Sequence, residues 1–315
     1  MLYQISHRTR YTYHDSVSIC HNLAWLIPRN TSNQECQKIQ IEIKPNPSLI
    51  NQYQDYFGNE VLYFAIQEDH AQLDVTIHST IKLVPPQRAA QELYAQMPWE
   101  EAIEHLHAEH HATHLDARQF THPTGITPSL PAIEAFARQS FTPGRPVLEA
   151  LQHLNSRIFH EFKFEPGFTT ISTPVEVVLA ERKGVCQDFA HLALACLRSI
   201  GIPARYVSGY IETLPPPGKE KLQGVDASHA WFSAYVPYVG WLDFDPTNNV
   251  EPTTQHITIG WGRHYADVPP MKGVILSSGA HSLKVSVDVK RISDAGILSR
   301  GGEAKPILSE GTTRP

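Results

Sequence analysis

The chain has 315 residues, 41% of them hydrophobic, and a formal charge of −6. That length has room for two domains and a sizeable core, and the acidic balance argues against general nucleic-acid affinity. No segment approaches the ~18 unbroken apolar residues of a membrane span, and the opening Met1-Leu-Tyr-Gln-Ile-Ser-His-Arg8 shows no signal-peptide pattern.

Residues 1–86 read as strands. Ile39, Ile41 and Ile43 alternate with polar residues, as do Leu73, Val75 and Ile77. Gly58-Asn59 marks a turn between Gln52-Tyr53 and the run from Val61 to Ile66. The expectation is a small antiparallel β-sandwich-like domain with no chemistry of its own, closed by Pro85-Pro86.

Residues 87–160 turn helical. Pro98 opens one helix with Trp99-Glu-Glu, and Ser129-Leu-Pro-Ala-Ile opens another. A third carries Val147, Leu151, Leu154 and Ile158 on one face. The run His105-Leu-His-Ala-Glu-His-His-Ala-Thr-His114 raises a metal reading. On a helix, His107 and His111 lie one turn apart, as do His110 and His114, a spacing that zinc sites use. No third ligand is evident and no His-Glu-x-x-His motif occurs, so a solvated helix face is expected, with no metal and no cofactor.

The next segment carries the chemistry. Cys186 lies in Lys183-Gly-Val-Cys-Gln-Asp-Phe-Ala-His191. Phe189, Ala193, Cys196, Leu197 and Ile200 then recur at helical spacing, and Gly201 and Pro203 supply stop signals. Cys186 is thus predicted at a helix N-terminus, where the partial positive charge favours thiolate over thiol. Cys196, on the apolar face, reads as a small core residue. With Cys20 and Cys36 the chain has four cysteines, which do not make a disulfide framework. A reducing cytoplasm is the expected compartment.

Two strands follow. Trp231 to Val236 is aromatic and β-branched, Pro237-Tyr-Val-Gly240 marks a turn, and Trp241-Leu-Asp-Phe-Asp245 is the return strand. Such a hairpin brings His229 and Asp245 side by side. Cys186, His229 and Asp245 are then the parts of a thiol nucleophile, its base and the group that orients the base. Asp243 shares Asp245's strand face, so alternation alone does not separate the two. A polar loop, 215–224, could rim the cleft, and the stretch from 296 to 315 reads as a flexible tail.

Together these segments resemble the transglutaminase-like superfamily, a papain-type group of thiol acyl-transfer enzymes. The matching runs are Gly184-Val-Cys-Gln-Asp-Phe-Ala-His-Leu192, Gly201-Ile-Pro-Ala-Arg-Tyr-Val-Ser-Gly-Tyr210, Asp226-Ala-Ser-His-Ala-Trp231 and Gly240-Trp-Leu-Asp-Phe-Asp-Pro-Thr-Asn248. Residues 1 to about 85 resemble the bacterial transglutaminase-like N-terminal region, through His7-Arg-Thr-Arg-Tyr-Thr-Tyr13 and Asp55-Tyr-Phe-Gly-Asn59. Gly262-Arg-His-Tyr-Ala-Asp-Val-Pro-Pro270 and the 283–289 strand are similar to the shared C-terminal end; His264 departs from it, standing where an acidic residue is expected.

The resemblance implies an α+β protein. It would have a β-domain over 1–86 and a papain-like transglutaminase core with a C-terminal strand over 87–295. It makes Cys186 the nucleophile, His229 the general base and acid, and Asp245, the residue before Pro-Thr, the orienter. The expected substrate is a peptide or protein, with no nucleic-acid or membrane partner. Water as acyl acceptor makes a protease or amidase, and an amine makes a transglutaminase. Catalytically idle scaffolding is the alternative from a different class.

Overall fold

The structure, a computed structural model, describes residues 1–87, 89–109, 111–213, 228–276 and 279–292. The polar loop 215–224 and the tail 296–315 lie outside these. Six strands come first: β1 (Leu2–Val17), β2 (Ile19–Ala24), β3 (Gln34–Lys44), β4 (Leu49–Gln54), β5 (Glu60–Ile66) and β6 (His70–Leu83). A helical stretch follows with α1 (Ala89–Leu93), α2 (Trp99–Ala108), α3 (Ala112–Arg118), α4 (Pro131–Arg138) and α5 (Val147–Glu161). Next come β7 (Lys163–Phe164), α6 (Val175–Glu181), β8 (Lys183–Gly184) and α7 (Cys186–Ser199). The chain ends in β9 (Ala204–Ile211), β10 (Ser228–Val236), β11 (Gly240–Phe244), β12 (His256–Gly262), β13 (Met271–Leu276) and β14 (His281–Ile292).

The expected sandwich is present, and β13 and β14, expected from the sequence to belong with the core, complete it. One sheet has the order β14-β1-β6-β3, the other β13-β2-β5-β4. Their inner faces share a core in which Leu73, Val75 and Ile77 of β6 meet Leu62, Phe64 and Ile66 of β5. Alternation is the cause: successive side chains point to opposite faces, so residues two apart share the inner face. The last two strands each add an edge to one sheet, so segments remote in sequence are tied together.

The second body is the sheet β11-β10-β9-β12, all antiparallel. Ala204 and Tyr206 of β9, Ala230, Phe232 and Ala234 of β10 and Phe244 of β11 share one core with α7. Every residue of α7 from Asp188 to Arg198 is buried, more than the single apolar stripe in the sequence requires. Neighbours cover its other sides, since α4, α5 and α6 also pack on it. Truncating one of its fully buried leucines, such as Leu194, should cost about 2–5 kcal/mol. The helix stops where the sequence indicates, at Gly201, whose φ of +87° disfavours any residue with a side chain.

The two bodies meet along β12. The Gln34 side chain donates to the Thr258 carbonyl at 2.7 Å and accepts from the Thr258 N–H at 2.8 Å. Tyr210 and His7 are hydrogen-bonded at 2.7 Å.

The His-rich run does not form one helix. α2 ends at Ala108, Glu109 is extended, and His111 is the residue before α3. Arg118 explains the break: its guanidinium donates to the Leu106 and His107 carbonyls at 2.8 Å each, capping the end of α2. His107 and His111 therefore share no helix face, and His110 lies outside the described residues. Among the described residues this run forms no set of three donors close enough to share an ion.

Candidate active site

Cys186 is the first residue of α7, with Val185 extended before it. The local sequence builds this start tightly. Asp188 turns back so that its Oδ2 accepts the Val185 N–H at 2.8 Å and the Thr169 hydroxyl at 2.6 Å. This is the acidic half of a capping box, at the third helical position. Gly184 makes room for it: a Cβ there would lie 2.9 Å from the Asp188 Cβ. Burial pushes the Asp188 carboxyl up, and the bonds from Thr169 and Val185 oppose that. The half-buried Cys186 side chain thus sits at a fixed helix start, beside the unpaired N–H groups that make such a terminus electropositive.

The imidazole and carboxylate come from the hairpin. β10 and β11 pair Phe232 with Phe244 and Ser233 with Asp243. Continued by one step, that register sets Asp245 opposite Trp231, with His229 its diagonal neighbour on the same face. His229 Nε2 donates to Asp245 Oδ2 at 2.7 Å. Cys186 also bears on the same ring and favours its charged form. Nε2 being committed to Asp245, Nδ1 is the nitrogen left for the thiol.

Asp245 is fully buried and heavily coordinated. Oδ1 accepts the N–H groups of Thr247 at 2.9 Å and Asn248 at 3.2 Å, a turn geometry typical of Asp before Pro. Oδ2 accepts from His229, from the Asn248 side-chain amide at 2.7 Å, and from His256 Nε2 at 2.9 Å. Burial raises the Asp245 carboxyl, but the bonds from His229 and His256 outweigh it and hold it well below the usual carboxylate range. Burial lowers His229, but Asp245 and Cys186 reverse that and raise it to about 10. The imidazole is held cationic at neutral pH, between a carboxylate and a sulfur.

His256, Asn248, Asp188 and Thr169 are the supporting residues that sequence reasoning missed. Asp188 had a signal, an acid two residues into a predicted helix. His256 had none, because its position follows only from the pairing of β12 with β9. Its ring meets Trp231 edge-on with centroids 5.2 Å apart, and its Nδ1 is buried without a partner. His229, Asp245 and His256 bring one ligand atom each within 4.8 Å, so they are the described donors nearest to a metal set. Both Nε2 atoms, however, aim their protons at the same carboxylate oxygen, an arrangement that serves an anion.

Other sequence candidates fall elsewhere. Cys196 is fully buried, and burial pushes its thiol up to about 12. Asp243 faces a separate cavity and gives nothing to His229. Trp231 is wholly buried, whereas Trp241 reaches that same cavity. At His264, the departure from the family pattern, Asp267 supplies the local carboxylate and accepts from the Arg263 backbone at 2.8 Å.

A thiol on a helix start, set against an imidazole and a carboxylate on an antiparallel sheet, defines a papain-like thiol enzyme fold. Comparison with known proteins narrows the class. The bacterial transglutaminase-like N-terminal region matches residues 3–82, and the transglutaminase-like superfamily core matches residues 134–246. A protein of Mycobacterium tuberculosis is 42% identical over 91% of this chain and 92% of its own length. The solved structure of a candidate cysteine protease from Cytophaga hutchinsonii shares the fold, with TM-score 0.72 and 20% identity, over 98% of this chain and 94% of that one. A protein-glutamine gamma-glutamyltransferase of Pseudomonas aeruginosa is 31% identical over 131 residues, 38% of this chain and 20% of that protein. The chain belongs to the transglutaminase-like superfamily, a family of cysteine-based acyl-transfer proteins.

Proposed function

We propose that the protein is a cysteine peptidase or amidase acting through Cys186, His229 and Asp245. One observation carries this reading: a single imidazole, whose charge Cys186 favours, donates to the buried Asp245 at 2.7 Å. The Cys186 thiolate attacks an amide carbonyl, and the carbonyl oxygen becomes an oxyanion beside the helix N-terminus. The Cys186 backbone N–H is the donor best placed for it. His229 gives its proton to the departing amine, leaving a thioester on Cys186. It then takes a proton from water as water attacks the thioester, which releases the acid and restores the thiol. Asp245 fixes the ring and stabilises its cationic form.

Hydrolysis is favoured because water is abundant wherever a site is not sealed, and an amine prevails only if water is excluded. Cys186 is only half-buried, which suits access by water. The Cytophaga protein is a candidate cysteine protease. The alternative, protein-glutamine transglutamination, draws on the Pseudomonas relative, a gamma-glutamyltransferase of which the match spans a fifth. The free thiols Cys20, Cys36, Cys186 and Cys196 fit the reducing cytoplasm proposed as its compartment.

The test is to load Cys186 with a good acyl donor and add a primary amine over a range of concentrations. Acid as the main product up to millimolar amine supports hydrolysis. Amide as the main product at low millimolar amine supports the transferase. No turnover of any amide or ester, with Cys186→Ala indistinguishable from the native chain, leaves only the binding scaffold. A thiol enzyme survives chelators, and loss of activity to them would point instead to metal chemistry.

A further inference from the structure

The central sheet has a second polar region. On the face turned away from α7, a cavity of about 720 Å³ opens between β9, β11, β12 and the segment after β6. That volume lies within the range of small-molecule sites, roughly 300–1,000 Å³. Arg205, Asp243, Trp241, Trp261 and His256 line it; Cys186 and His229 do not.

Arg205 is the unusual member. It is 9% exposed, and its guanidinium is stacked between Trp261 at 3.6 Å and Trp241 at 4.3 Å from the ring centroids. No described residue accepts a hydrogen bond from it, and Nε is buried without a partner. Two other arginines, the buried Arg198 and the half-buried Arg29, show what this fold ordinarily provides. Arg198 donates to the carbonyls of Phe120, Ala204 and Arg263 and to the Thr127 hydroxyl. Arg29, stacked on the same Trp261 ring at 3.3 Å, shares the unpartnered Nε but donates through its Nη1 to the Phe57 carbonyl and to Asn59. Burial pulls Arg205 down to about 9, and Asp243 supports its charge from a distance without pairing with it. A guanidinium whose buried Nε–H meets no acceptor among the described residues is costly unless an anion completes it.

We propose that this cavity is a second binding site, separate from Cys186, for a small monocarboxylate with an apolar body. The planar fork of Arg205 matches a carboxylate in bidentate fashion, and the flanking indoles fix its plane. Asp243 and Glu251 in the same wall repel a doubly charged phosphate more than a single carboxylate. Val84 and Pro85 supply apolar surface for the rest of the ligand.

Hexanoate is a suitable probe, with hexylammonium and inorganic phosphate as comparators. Binding to the full chain is read by calorimetry and by indole fluorescence. The expected result is saturable one-to-one binding of hexanoate at millimolar concentrations or below, unchanged in Cys186→Ser. Arg205→Lys, which keeps the charge but not the fork, should weaken it at least about tenfold. Asp243→Asn should tighten it by removing a repelling carboxylate, and this readout stands even if Arg205→Lys fails to fold. No saturable binding to the native chain would overturn the proposal. So would equal binding by a folded Arg205→Lys, unchanged or weaker binding by Asp243→Asn, or tighter binding of either comparator.

Discussion

Asp243 and Asp245 stand two residues apart on one strand face, in opposite surroundings. Asp245 is fully buried and accepts from two backbone N–H groups, one amide and two imidazoles. Asp243 is half-buried, lines an open cavity and faces an arginine it does not pair with. The first carboxylate is locked and the second is left available. A residue that must aim an imidazole needs every lone pair occupied, because an unsatisfied oxygen would leave several competing ring positions. A residue lining a ligand pocket needs the reverse.

The comparison breaks most directly at Asp245. Asp245→Asn keeps the shape but forfeits the charge that holds the imidazole, so turnover and thiol alkylation should fall about 10³–10⁴-fold. Rates within tenfold of the native chain would show that the buried carboxylate does not orient His229. His256→Phe tests the second imidazole on the same oxygen. Losing one hydrogen bond to a charged group costs about 1.5–3 kcal/mol, so this substitution should reduce kcat about 10–100-fold with little change in KM. His256→Gln, which keeps a donor, should recover part of the loss; if it recovers none, the role of His256 is packing alone.

The ion pair also leaves a mark on stability. His229 is raised above its ordinary 6.5 to about 10, so its contribution is complete below pH 6.5 and is lost as pH rises through about 10. Asp245 is depressed below its ordinary 3.8, so its contribution is present above that value and is lost as pH falls below it. The denaturation midpoint of the native chain should therefore exceed that of His229→Gln by most between pH 3.8 and 6.5. The gap should close towards pH 10. A gap that is constant through alkaline pH would contradict the assignment. The smallest effect belongs to Asp243→Asn, which should change turnover by less than about 3-fold, because Asp243 lines the other cavity and is independent of the His229–Asp245 pair.

Much of this was legible in the sequence for local reasons. Period-two alternation marked the sandwich strands, and the Pro237-to-Gly240 turn fixed the hairpin that brings His229 to Asp245. Gly201 ended the helix behind Cys186. The choice between Asp243 and Asp245 was not available from alternation, since both face the same side; it came from the family motif, and the structure gives the His229 hydrogen bond to Asp245. The His-rich run misled because helical spacing was assumed across Glu109, where Arg118 caps and ends α2 from a distance. His256 and the Arg205 cavity were invisible for a related reason. Each arises where strands remote in sequence are paired, β12 beside β9 or the end of β6 against the central sheet, and no local pattern encodes such meetings.

The central claim is that Cys186 carries the acyl group. An activated ester mixed with the native chain and quenched early should leave its acyl group on the peptide containing Cys186, as read by mass spectrometry. Cys20 and Cys196 are buried, and burial pushes the Cys36 thiol up to about 11, so all three should stay unmodified. The same adduct should form far more slowly in Asp245→Asn and not at all in Cys186→Ala. Acyl transfer to another cysteine, or an adduct on Cys186 that forms equally fast without Asp245, would contradict the account.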